Sequence, residues 1–143
     1  MSDGKLRDYY WRLFTFLAER IEFLDTRRSA FQFPGENEVE NTGALNASIV
    51  FRDGSRLFVR ASLDERAEIL EYDYAYIYYD RRGKRVLQYD DAPHHPDVST
   101  HPHHLHRGEK PKHGTERVYP IDVPRVDFIA VVEMIIERLR KTA

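Results

Sequence analysis

The chain has 143 residues, with 22 basic and 24 acidic side chains and no cysteine. That length suits one hydrophobic core and strains two. The lack of cysteine excludes disulfides, iron-sulfur clusters, thiolate zinc sites and cysteine nucleophiles. A near-neutral charge argues against a general nucleic-acid coat protein. No apolar run approaches the roughly 20 residues of a membrane span, so the expectation is a cytoplasmic protein without membrane association.

Leu6, Tyr10, Leu13, Leu17, Ile21 and Leu24 recur at spacings of three and four, which predicts an amphipathic helix over residues 5 to 25. Arg27-Arg28-Ser29 breaks the pattern and Pro34-Gly35 opens a polar connection. Leu45, Ala47, Ile49 and Phe51 then alternate with more polar positions, Asp53-Gly54 follows, and Leu57, Val59, Ala61 and Leu63 resume the alternation. That is a hairpin, because the turn needs positive φ values that aspartate tolerates and glycine adopts freely. A second hairpin runs from Ile69 to Tyr79, turns at Asp80-Arg81-Arg82-Gly83, and returns over Lys84 to Tyr89.

From Asp90 to Asp122 there is no clean period and there are five prolines, at 93, 96, 102, 111 and 120. A connection of that length is functional or disordered more often than it is a simple link. Val118 and Tyr119 are expected to add a short edge strand. Asp122-Val123-Pro124 is expected to start a last helix, whose apolar face carries Phe128, Val132, Ile135 and Leu139. The predicted architecture is a single α+β domain over 1–143, with a long histidine-rich loop at 90–122. It has a four- to five-stranded, mainly antiparallel sheet of consecutive hairpins, with the N-terminal and C-terminal helices packed on one face.

Charge is unevenly placed. Acidic side chains collect at Glu36, Glu38 and Glu40 and again at Asp64, Glu65, Glu68, Glu71 and Asp73. Arg81, Arg82, Lys84, Arg85, Arg107, Lys110, Lys112 and Arg117 surround the histidines, as a local anion-binding surface would require.

Six of the seven histidines fall between positions 94 and 106, in a segment with little apolar content. Three readings fit. His101, His103, His104 and His106 with Asp90 or Asp91 carry enough donor atoms for a metal site, although the spacing matches no helical zinc motif. Alternatively, two imidazoles, which titrate near pH 6.5, supply the base and acid of metal-independent RNA cleavage, with Arg107 steadying the phosphate. In the third, the histidines pack a loop across the sheet and hydrogen-bond its backbone. Tyr72, Tyr74, Tyr76 and Tyr78 are expected on one strand face, as sheet packing, a homodimer surface or a stacking platform for bases.

The runs Tyr78-Tyr79-Asp80, Gln88-Tyr89-Asp90-Asp91-Ala92-Pro93-His94-His95 and His101-Pro102-His103-His104-Leu105-His106 resemble a family of small prokaryotic proteins that includes TumE-type toxins. The resemblance covers approximately residues 44 to 140. It implies one component of a toxin–antitoxin pair with a helix-turn-helix antitoxin as partner and RNA or translation as target. Asp90, His104 and His106 are the corresponding polar positions. The leading expectation is a toxin-like, metal-independent ribonuclease that needs no cofactor. In it His104 and His106 act as acid and base, Asp90 orients an imidazole and Arg107 holds phosphate, while Tyr76, Tyr78, Arg85, His94 and His95 contact substrate. A non-enzymatic interaction protein and a metal-dependent hydrolase are the alternatives.

Overall fold

The first helix, α1 (Lys5–Ala18), buries Tyr9, Tyr10, Leu13 and Phe16 and ends earlier than the apolar spacing predicts. Arg20 donates to the Phe16 carbonyl at 3.0 Å and lies over the Phe16 ring at 3.7 Å, satisfying a carbonyl freed at the helix end. A 3-10 turn, Ile21–Phe23, takes the place of the last expected turn. The computed structural model describes residues 5–32, 42–64 and 70–142; Pro34-Gly35, Glu36, Glu38, Glu40, Glu65, Glu68 and Ile69 lie outside the described residues.

Among the described residues seven strands follow in chain order: β1 (Ala30–Gln32), β2 (Thr42–Val50), β3 (Arg56–Asp64), β4 (Leu70–Tyr79), β5 (Arg85–Asp90), β6 (His104–Arg107) and β7 (Val118–Pro120). They form one antiparallel meander in that order, so the sheet is larger than the four or five strands expected. The additions are β1, which pairs Ala30 with Ser48, and β6, which pairs Asp90 with His104 through Leu87 with Arg107. Residues 104–107 therefore belong to the sheet, and the connection expected over 90–122 is interrupted. Both expected hairpins form. Gly54 and Gly83 take φ values of 86° and 82° in their turns, where an L side chain would be strained.

One face of the sheet is apolar from strand to strand. Leu45, Leu57, Val59, Tyr76, Tyr89 and Leu105 are each at most 2% exposed, and the register places Val59 beside Tyr76, Tyr76 beside Tyr89 and Tyr89 beside Leu105. Both helices cover this face, as expected. The last helix, α2 (Phe128–Thr142), contributes Phe128, Val131, Val132, Ile135 and Ile136 to the same core as Leu13 and Phe16. It starts at Phe128 rather than near Asp122. Asp127 caps it through the Ala130 amide at 2.9 Å, while Asp122 instead accepts the Tyr89 hydroxyl at 2.6 Å.

The tyrosine stripe is broken by a bulge. The register steps from Arg60 opposite Ala75 to Ser62 opposite Tyr72, and Asp73 has φ 47°. The extra residue turns Tyr72 to the face away from the helices, where it is 40% exposed, while Tyr74, Tyr76 and Tyr78 stay buried under them. The Asp91 carboxylate accepts the two amides that the bulge frees, from Asp73 at 2.8 Å and from Tyr74 at 2.9 Å. The bulge also sends Glu71 inward, where Tyr9, Tyr76 and the Phe128 amide all donate to it. Among the described residues no helix is long and apolar enough to cross a membrane.

Candidate functional site

Period-two alternation builds a polar cluster on the opposite face of the sheet. Leu105 points into the helix-covered core, so its neighbours His104 and His106 point away from it, and Gln88 and Asp90 on β5 do the same beside Tyr89. The register sets Asp90 opposite His104 and Gln88 opposite His106. His104 Nε2 lies 2.8 Å from Asp90 Oδ1, His106 Nε2 lies 3.1 Å from Asp90 Oδ2, and the two Nε2 atoms are 3.1 Å apart. All three residues are buried, His104 with only 1% of its surface exposed. The turns of residues 91–103 run over them, and the His95 ring packs edge-on against His104 at 4.8 Å and His106 at 6.2 Å.

Partners outside the cluster orient it. His104 Nδ1 is 3.0 Å from the Pro102 carbonyl, and Gln88 donates to Asp90 Oδ2 at 2.8 Å. Glu116 Oε1 lies 3.2 Å from His106 Nδ1, an ionic contact off the hydrogen-bond direction, and also binds the Arg85 guanidinium. Arg85 in turn donates to the Gly108 carbonyl at 2.7 Å and to Gln88 Oε1 at 3.2 Å. Burial works against charge on Asp90, but His106, Gln88 and His104 together hold its carboxyl below the usual range. The contact with Asp90 raises the His106 imidazole against the opposing effect of its burial, with Glu116 adding to the rise. Glu116 is itself lowered despite partial burial, by Arg85 and then His106.

On the far side of Arg85 and Gln88 a cavity of about 620 Å³ opens, lined by Tyr79, Lys84, Lys110 and Lys112 as well. Gln88 is a shared wall, touching Asp90 on one side and the basic cleft on the other.

The family model described as Toxin TumE matches residues 17–139. The chain belongs to this toxin family. The match reaches further toward the amino terminus than the resemblance over 44 to 140, and it takes in every residue of the cluster and the cleft. Membership in a TumE family of toxins implies an antitoxin as partner. No curated protein matches the chain, and no solved structure does.

Within this TumE-family fold the sequence-derived site residues separate into groups. Asp90, His104 and His106 converge, His95 lies against them, and Arg85 joins through Glu116. His94 is exposed in the covering turns. Arg107 sits opposite Leu87, on the helix-covered side of the sheet, 3.7 Å from Asp122 and over the Tyr119 ring at 5.1 Å. Tyr76 and Tyr78 are core residues at 0% and 4% exposure, which leaves them no surface for substrate. Glu116 and Gln88 were not among the expected site residues. Gln88 carries a legible signal, since it shares a strand face with Asp90, but nothing local marks Glu116.

Proposed function

We propose that this protein is the toxin of a toxin–antitoxin pair, with a helix-turn-helix antitoxin as partner, and that it acts by hydrolysing RNA phosphodiesters at the Asp90–His104–His106 cluster. The observation that carries the reading is the linkage of that cluster, through Gln88 and Glu116, to Arg85 at the wall of the basic cleft. Lys84, Lys110 and Lys112 neutralise backbone phosphates there, and Tyr79 offers a ring against which a base stacks. Arg85 takes the phosphate-holding role expected of Arg107, because its fork lies on the cluster's side of the sheet.

The geometry favours a cluster acting as one unit over separate acid and base histidines. Two imidazoles working on opposite sides of a phosphorus atom need room for the phosphoryl group between them. Here their Nε2 atoms are 3.1 Å apart and share one carboxylate. Hydrolysis with the cluster activating water at one spot fits that separation.

The test pairs growth with chemistry. Induced expression of the parent chain is expected to arrest a bacterial culture and to shorten end-labelled RNA incubated with purified protein. Asp90→Ala, His104→Ala and Arg85→Ala, each checked for folding by circular dichroism, are expected to lower cleavage at least 100-fold and to relieve the arrest. Intact RNA at every pH from 5 to 8 would remove the proposal. The deep burial of His104 favours a second reading, a toxin that only binds through the cleft. It predicts growth arrest that needs Arg85 while RNA stays whole.

A further inference from the structure

The cluster brings acceptor atoms close together. A carbonyl oxygen is only an acceptor, so the Pro102 contact places a proton on His104 Nδ1, and in the neutral ring Nε2 is then a lone pair. His106 Nδ1 is buried without a hydrogen-bond partner among the described residues, its 3.2 Å contact with the Glu116 carboxylate lying off the hydrogen-bond direction, so Nε2 is the nitrogen of this ring that meets Asp90. The His104 Nε2 lone pair then faces Asp90 Oδ1 at 2.8 Å and His106 Nε2 at 3.1 Å in a buried site. Acceptors at that distance repel unless a proton or a metal ion sits between them.

We infer that Asp90, His104 and His106 bind one divalent transition-metal ion through the Asp90 carboxylate and the two Nε2 atoms. The donors match a two-histidine, one-carboxylate set, which imidazole-preferring ions such as zinc, cobalt, nickel or iron take in preference to magnesium or calcium. The spacing is compatible as well. Ligands at about 2.1 Å on neighbouring vertices of an octahedron are roughly 3.0 Å apart; the two Nε2 atoms are 3.1 Å apart, and each meets its own Asp90 oxygen, His104 at Oδ1 at 2.8 Å and His106 at Oδ2 at 3.1 Å. Three ligands on one octahedral face leave the opposite positions for water or substrate. Pro102 supplies the outer hydrogen-bond partner that ligating histidines regularly use to fix ring orientation, and the Glu116 carboxylate lies 3.2 Å from the outer nitrogen of His106. The exposed His94, His101, His103 and His113 are not part of the set.

This deepens the proposed hydrolysis by naming the ion at the same cluster, yet binding is measured without reference to toxicity. The full chain, produced without a histidine tag, is stripped with chelator and titrated with Zn2+ by calorimetry and with Co2+ by visible absorption. One ion per chain is expected, bound at least 100-fold more weakly by Asp90→Asn and His104→Ala. Glu116→Gln, which leaves the three donors in place, is expected to weaken it about tenfold. A His101→Ala, His113→Ala double variant keeps parental affinity. Zn2+ is also expected to raise the melting temperature of the parent chain and not that of Asp90→Asn. Equal affinity of the parent and Asp90→Asn would mean adventitious binding by surface histidines and would overturn the inference. So would a folded parent chain that binds neither ion, since a shared proton alone would then relieve the lone pairs.

Discussion

Glu71 offers the most demanding test of the fold. It is 7% exposed and accepts from Tyr9, Tyr76 and the Phe128 amide, the last at 2.9 Å, so one carboxylate ties α1, β4 and the start of α2 together. Alanine there strands three buried donors. Each costs about 1–3 kcal/mol when left unsatisfied. Part of that is offset because the carboxylate is itself unfavourable, its pKa raised above 4.5 chiefly by burial and further by Asp127, against its hydrogen-bond donors. A net loss of about 3 kcal/mol is expected for Glu71→Ala, equivalent to about 10 °C in melting temperature for a chain of this size. Glutamine retains an acceptor for Tyr76 and Phe128 and a donor for Tyr9, so Glu71→Gln is expected within about 1 kcal/mol of the parent at neutral pH.

The sign of the pH dependence follows from the direction of the shift. With the folded pKa above the unfolded value of 4.5, the folded chain holds a proton that the unfolded chain releases. Stability linked to Glu71 is therefore full below pH 4.5 and is lost as pH rises through the folded value. Glu71→Gln lacks this loss and gains on the parent as pH rises. Urea unfolding followed by circular dichroism between pH 4 and 8 measures both effects. The reasoning is refuted if Glu71→Ala lies within 1 kcal/mol of the parent, or if the gap between parent and glutamine variant stays constant across that range.

Two further expectations concern the bulge and the cleft. Asp91→Ala removes the acceptor of the Asp73 and Tyr74 amides and is expected to cost about 2–3 kcal/mol, since hydrogen bonds to a charged group are worth about 1.5–3 kcal/mol and one of these amides is exposed. An unchanged urea midpoint would contradict the role given to Asp91. Replacing Lys84, Lys110 and Lys112 together with glutamine is expected to weaken RNA binding and to flatten the plot of log affinity against log salt by about 2, at roughly 0.7 for each single-strand phosphate that is no longer neutralised. Fluorescence anisotropy at several salt concentrations reads the slope, and an unaltered slope would place the RNA elsewhere.

Local pattern by itself determined the two helices, the two hairpins and the burial of one sheet face. Periods of 3.6 and 2 are properties of consecutive residues and survive without knowledge of the partner. Leu45 to Ile49, Leu57 to Leu63 and Phe128 to Leu139 all read correctly for that reason. Residue type alone pointed to a wider set, His101, His103, His104 and His106 with Asp90 or Asp91; the family resemblance narrowed it to Asp90, His104 and His106, and neither carried their geometry.

Tertiary structure decided what local pattern leaves open. β6 has four residues and no sustained alternation, so only pairing with β5 makes it a strand and sends His104 and His106 to one face and Arg107 to the other. The Asp73 bulge depends on Asp91, eighteen residues away, and it alone moves Tyr72 off the tyrosine stripe and turns Glu71 inward. Glu116 reaches His106 and Arg85 because the chain returns to β7 beside β6. Each of these is a contact between segments distant in sequence, set by register and chain return, and no short window of residues contains that information.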